Sequence, residues 1–237
     1  MNTDLVGLES KIKFSFKNKS LLVEALTHRS YLNENPGHKL SHNERLEFLG
    51  DAILELVITH HLFFRYPEAE EGKLTLLRSA LVNTKMLAQT AREIGLQKFI
   101  LVSKGEAQAN GRAMEVILAN AFEALVGAIY IDTGQKAVEN LVERFLLPNL
   151  LDIEKHRLYK DSKSLLQEIA QDRNKLTPVY KILEEKGPDH QREFKVGVYF
   201  GNELKEEGAG FSKQEAEIDA ARRLLLKINH EGADEEF

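Results

Sequence analysis

Glu44, Glu47 and Asp51 recur at i, i+3 and i+7. On a helix that turns about 100° per residue, this spacing puts three carboxylates within about 60° of one another. Glu55 extends the stripe, while Leu46, Leu49, Ile53, Leu56 and Val57 take the other side. A solvated polar face would explain a lone stripe of this kind. Two features speak against that reading. Glu47–Asp51 and Asp51–Glu55 are like-charge pairs at i, i+4, each costing about 0.2–0.5 kcal/mol, and no Lys or Arg shares the stripe. Phe48 also lies beside it, where a solvated face has no use for an aromatic ring. A bound cation and a partner surface account for both.

A second segment, VILANAFEALVGAIYI, is apolar at nearly every position, so its helix belongs in a core. Its polar exceptions are Asn120 and Glu123, again three apart. A buried carboxylate requires a partner or a metal, and no basic residue lies between Glu115 and Lys136 to pair with it locally. A salt bridge to an arginine distant in sequence is the alternative. Glu71, before Gly72, is a third acidic candidate. The chain contains no cysteine, so thiolate nucleophiles, disulfides and zinc-thiolate sites are excluded. Oxygen ligands alone suit Mg²⁺, with Mn²⁺ as a substitute. A di-iron centre would call for Glu-x-x-His pairs, which neither acidic helix carries. His28 and His42 are general-base candidates, although a structural or phosphate-facing role is the simpler reading.

The elements that must position these groups follow from periodicity. LLVEALTHRSYL, NERLEFLGDAILELVITHHLF, LTLLRSALVNTKMLAQTAREIG, AMEVILANAFEALVGAIYI and QKAVENLVERFLLPNLL each repeat apolar residues every three to four positions. Gly72, Gly95, Gly111 and Gly134 punctuate them. The pattern lapses near IEKHRLYK, and the grammar then changes. KSLLQEIAQDR predicts a helix, TPVYKILEE and REFKVGVYF alternate as strands around a KGPDH turn, NELKEEG gives a third short strand, and KQEAEIDAARRLLLKI a closing helix. The expected fold is an all-α domain followed by a small α+β domain of order α-β-β-β-α, with both helices on one face of an antiparallel sheet.

Composition narrows the class without deciding the partner. The 237 residues are 43% apolar and 29% charged, with net charge −5. Residues 1–158 hold 19 basic and 20 acidic side chains, residues 159–230 hold 13 of each, and 231–237 hold four acids and no base. The acidity is therefore mostly a tail. No run of about 18 apolar residues offers a membrane span. The N-terminus lacks the apolar core of a signal peptide. A cytoplasmic protein with no membrane partner is expected.

ALTHRSY at 25–31, HNERLEFLGDAIL at 42–54, EEGKLTLLRSALV at 70–82 and ILANAFEALVGAIYID at 117–132 together resemble the endonuclease domain of bacterial ribonuclease III. The C-terminal segment resembles a double-stranded RNA-binding domain. The resemblance implies a helical endonuclease domain over 1–153, a linker over 154–160, an RNA-binding domain over 161–229 and an acidic tail over 230–237. It implies a homodimer that cuts double-stranded RNA with Mg²⁺, leaves 5′-phosphate and 3′-hydroxyl ends with short 3′ overhangs, and processes ribosomal RNA precursors and other structured RNAs. By motif position the metal ligands are Glu44, Asp51, Asn120 and Glu123, with Asp51 and Glu123 catalytic. Glu47 and Glu71 match further acidic positions of the catalytic valley, and Phe48 matches an aromatic that inserts into the other subunit. Asn120 departs from the pattern, which usually has Asp there. This is the one feature favouring an alternative, a double-stranded RNA-binding factor with weak or no cleavage.

For the second domain, Ser164, Gln167, Glu168 and Gln171 share a helix face whose polar groups suit 2′-hydroxyls in a minor groove. His190 matches a loop-tip groove contact. Lys213, at the start of the last helix, matches a phosphate contact. The usual second lysine is Gln214, and the usual basic residue before Ser212 is Phe211, so modest affinity is expected from this half alone.

Overall fold

A computed structural model describes residues 5–108, 111–155, 162–174, 176–188 and 192–230. The chain divides into two compact units, 1–159 and 160–237. The first is helical: α1 (Leu5–Ile12), α2 (Lys19–Ala25), α3 (Arg29–Glu34), α4 (Glu44–Arg65), α5 (Glu71–Val82), α6 (Thr84–Ile94), α7 (Lys104–Ala107), α8 (Arg112–Thr133), α9 (Gln135–Phe145) and α10 (Asn149–Lys155). Three of the periodic segments are broken within their pattern. Residues 21–32 split at Thr27, which bridges to Leu101, with the His28 amide donating to the Leu101 carbonyl at 2.9 Å. Asn83 ends α5 and caps α6, its side-chain oxygen accepting from the Met86 amide at 3.0 Å. Pro148, which has no N–H to give, separates α9 from α10.

The core of this unit is built around α8. Its side chains from Leu118 to Ile129 are almost continuously buried, with Phe122 fully enclosed. α8 is long and apolar enough to cross a membrane, yet most of it is packed inside protein. That burial explains its composition.

α4 lies directly on α8, and the contact is made backbone to backbone. A methyl group on Gly50 would stand 1.8 Å from the carbonyl oxygen of Glu123. One on Gly127 would stand 2.2 Å from the carbonyl oxygen of Leu46. Each glycine removes the side chain that would hold the helices apart. The helix axes thus approach most closely at the level of the predicted acidic residues.

The second unit consists of α11 (Ser162–Asn174), β1 (Pro178–Lys186), β2 (Glu193–Phe200), β3 (Glu203–Gly210) and α12 (Lys213–His230). The strands form an antiparallel sheet of order β1-β2-β3. Leu165, Leu166 and Ala170 of α11 pack with Val198 and Phe200 of β2 and with Ala220, Ala221, Leu224 and Leu225 of α12 in one cluster. β3 runs further than the sequence pattern indicates. Ala209 and Gly210, beyond the NELKEEG segment, also belong to the strand. Gly208 lies flat on α12, where an added methyl would meet the Ala220 nitrogen at 2.1 Å.

The Gly127–Leu46 contact is between two backbones, so neither side can yield by a rotamer change. Gly127→Ala is expected to lower the free energy of urea unfolding by about 1–3 kcal/mol or more, despite alanine's better helix propensity. Unchanged or raised stability would contradict the close crossing.

Candidate active site

The Gly50–Glu123 contact fixes the register between the two acidic helices. Glu47 and Asp51 flank Gly50 on α4, while Asn120 and Glu123 sit one turn apart on α8. The side-chain amide of Asn120 donates a hydrogen bond to the half-buried Glu47 carboxylate. Burial raises the Glu47 pKa most; Glu44 and Asp51 add to the rise, and the Asn120 bond partly offsets it. Glu123 is more perturbed. Burial first, then the charges of Asp51 and Glu47, push its pKa up to about 7. The charges that dominate its surroundings are other carboxylates.

Glu44 and Asp51 are exposed at the rim. Glu44 lies 3.4 Å from Arg29 Nη1 and 3.7 Å from His42 Nδ1. Among the described residues no three His, Asp or Glu side chains converge as a ready-made metal cage. The donor chemistry nevertheless fits a hard divalent ion: the cluster offers carboxylate and amide oxygens, and its members repel one another. Glu71, the first residue of α5, accepts a bond from Thr75 Oγ1 at 2.9 Å. It is not among the charges acting on Glu47 or Glu123.

His28 has a structural job. The Ser30 amide donates to its Nδ1 at 3.3 Å, capping α3, and burial lowers its pKa. Phe48 is 81% exposed beside the cluster. Leu56, expected on the apolar side, is also exposed.

In the second unit, Ser164, Gln167 and Gln171 are exposed on α11 and Glu168 is half-buried. Lys213 is exposed at the first position of α12, its ammonium 3.8 Å from Glu185 and above the Phe194 ring. The Ser212 hydroxyl accepts from the Glu215 amide at 3.1 Å, and the Glu215 carboxylate accepts from the Phe211 amide at 2.9 Å, a reciprocal cap that fixes this turn. Arg222 and Arg223 both pair with Asp219. His190 lies outside the described residues.

Comparison with known proteins decides the lineage. The Ribonuclease-III-like family pattern matches residues 18–150, and the double-stranded RNA binding motif pattern matches 162–228. The chain is 42% identical to the Ribonuclease 3 of Pelotomaculum thermopropionicum over 94% of its own length and 92% of that protein's. The protein of the same name from Carboxydothermus hydrogenoformans is 43% identical over 96% of this chain and 97% of its own. The chain belongs to the ribonuclease III family. The solved nuclease domain of ribonuclease III from Campylobacter jejuni superposes with a TM-score of 0.56 at 40% identity, covering 62% of this chain and 98% of that one. That structure is described in terms of flexibility in a region involved in dimer formation. As a ribonuclease III with an attached RNA-binding motif, the protein is a double-strand-specific endoribonuclease.

Three residues that matter here were not singled out by the sequence pattern: Gly50, Gly127 and Arg29. The two glycines did carry a signal, since a glycine inside a helix costs roughly 1 kcal/mol relative to alanine and invites a packing explanation. Arg29 carried none, because it comes to Glu44 from another helix.

Glu123 gives a pH-dependent signature of the metal-free site. The folded state holds its proton up to about 7, whereas the ordinary carboxyl releases it near 4.5. Stability contributed by this group is therefore complete below 4.5 and lost as pH rises toward 7. In chelator at pH 8, Glu123→Gln is expected to raise stability by on the order of 1–2 kcal/mol, a figure reduced for partial solvent screening. The difference should vanish near pH 4. Equal melting temperatures for both proteins at both pH values would contradict this environment.

Proposed function

We propose that the carboxylates of α4 and α8 form a divalent-metal site that hydrolyses phosphodiester bonds of double-stranded RNA, and that the second unit holds the duplex. The observation that carries this reading is the half-buried Glu123, whose pKa is raised by burial and by the charges of Asp51 and Glu47, beside a helix crossing that leaves no room for a side chain at Gly50. Glu44, Asp51, Asn120 and Glu123 are the ligands; Asp51 and Glu123, one from each helix, are the catalytic pair. Glu47 orients Asn120 through their hydrogen bond. The amide oxygen of Asn120 stays available to a hard cation, at the cost of one negative charge. Glu71 belongs to the rim of the same valley.

Mg²⁺, with Mn²⁺ as a substitute, supplies an activated water and neutralises charge on the leaving 3′-oxygen when bound. Bond cleavage on that side leaves 5′-phosphate and 3′-hydroxyl ends. Phe48, largely exposed beside the site, is buried by a second copy of the chain, which brings two sites to one duplex, one per strand, and leaves short 3′ overhangs. The solved relative whose description concerns dimer formation supports this assembly. The division into an endonuclease domain over 1–153 and an RNA-binding domain over 161–229, the cytoplasmic setting and substrates among ribosomal RNA precursors belong to the same reading.

Lys213, Ser164, Gln167, Glu168 and Gln171 form the duplex-binding surface, and His190 is assigned to it by motif position alone. Lys213→Ala should weaken binding across duplex sequences and reduce the log–log salt slope by about one. Salt dependence identical to that of the parent protein would remove Lys213 from the interface.

The decisive experiment incubates a plain RNA duplex with the parent protein, Glu123→Ala and Asn120→Asp across a Mg²⁺ titration. Glu123→Ala should bind the duplex, with Ca²⁺ present, and not cut it. Asn120→Asp should reach half-maximal cutting at lower Mg²⁺, since one more charge faces the ion. Full cutting by Glu123→Ala would sink the assignment. Binding without cutting by the parent protein at any Mg²⁺ concentration would select the binding-factor alternative.

A further inference from the structure

Two basic groups with no part in the carboxylate chemistry lie against its outermost member. Arg29 donates from Nη1 to Glu44 Oε1 at 3.4 Å. His42 Nδ1 is closed off from solvent, makes no hydrogen bond, and faces Glu44 Oε2 from 3.7 Å. The strip of chain that presents them is pinned. The Asn43 amide donates to the Thr27 carbonyl at 2.9 Å, and the Asn43 side chain donates to the Ala25 carbonyl at 3.3 Å. This ties the residue before α4 to the residues before α3. The first residue of α3, Arg29, and the first residue of α4, Glu44, are therefore held side by side. On its other side Glu44 acts electrostatically on Glu47. Glu44 thus stands between a fixed cation and the acidic cluster.

We propose that Arg29 is a built-in counter-cation for Glu44: a positioning residue that holds this carboxylate while the site is empty and releases it when a divalent ion loads, which frees the guanidinium for an RNA phosphate. The inference rests on the metal reading of the carboxylates given above. A guanidinium charge held against the carboxylate repels a second cation and weakens the pull of Glu44 on it, so the two cations compete for Glu44. Arg29 is 70% exposed, so the released group can reach a strand lying over the site. A planar guanidinium matches phosphate geometry as a lysine ammonium does not. Because one carboxylate is exchanged, each ligand assists the other: ion loading frees Arg29, and a phosphate that draws Arg29 away frees Glu44. Such coupling is reciprocal by thermodynamic necessity.

The test uses the full chain and reads Mn²⁺ occupancy by the electron paramagnetic resonance of free Mn²⁺, without RNA. An exposed ion pair contributes up to about 1 kcal/mol, so Arg29→Gln should tighten Mn²⁺ binding by about two- to fivefold. Arg29→Lys should stay near the parent value. In a Glu44→Gln background, Arg29→Gln should have no effect on Mn²⁺ binding, which an unrelated structural role would not produce. Duplex binding should be nearly unchanged by Arg29→Gln in chelator, and weakened by about two- to fivefold in non-cleaving Ca²⁺. Mn²⁺ affinity unaltered or weakened by Arg29→Gln overturns the inference, as does the same gain in the Glu44→Gln background. Glu123→Gln serves as the control for the underlying reading. If it leaves the Mn²⁺ site intact, the carboxylate assignment fails and the counter-cation with it. If Glu123→Gln removes the site but Arg29→Gln does nothing, the inference alone fails.

Discussion

The close crossing of α4 and α8 at Gly50 and Gly127 is the constraint from which the rest of the nuclease unit follows. Helices whose side chains interlock sit about 8–10 Å apart, and long acidic side chains on them can splay toward water. Here the Glu123 carbonyl sits where a side chain on Gly50 would be. That contact draws Glu123, Asp51 and Glu47 into one region and partly dehydrates Glu123. α8 can carry this load because its remaining surface is embedded in apolar packing.

The arrangement stabilises function at the expense of the empty fold. Carboxylates that raise one another's pKa store unfavourable energy, and in the proposed reading a divalent ion would convert that repulsion into binding free energy. Asn120 moderates the tension by giving a donor to Glu47 where another carboxylate would add a further charge. At the rim, Arg29 and His42 act on Glu44 from outside the cluster. The site is therefore graded, with mutually repelling acids inside and a compensated acid at the edge.

The sequence disclosed the acids well because helical periodicity is a local property. Glu44, Glu47 and Asp51 declare one face by spacing alone, and Glu123 stands out in an apolar run. The order of elements in both units was equally legible. The breaks at Thr27 and Asn83 were not, since each depends on a hydrogen bond whose worth is set by tertiary context. β3 extends through Gly210 for a similar reason: whether Ala209 and Gly210 continue the strand depends on the Ala216–Ala220 surface that the flanking glycines meet. What the pattern could not convey was distance. It separated Gly72, Gly95, Gly111 and Gly134 as punctuation and passed over the two glycines that set the helix spacing.

In the proposed reading this crossing holds Glu123 protonated to near neutrality, and a divalent ion would then take the proton's place. Calorimetric Mn²⁺ titration of the full chain, repeated in buffers of different ionisation enthalpy, counts the protons released on binding. With the Glu123 pKa near 7, the account predicts release of about half a proton at pH 7, falling toward zero by pH 9. Binding at the same site with no proton release at pH 7 would contradict it.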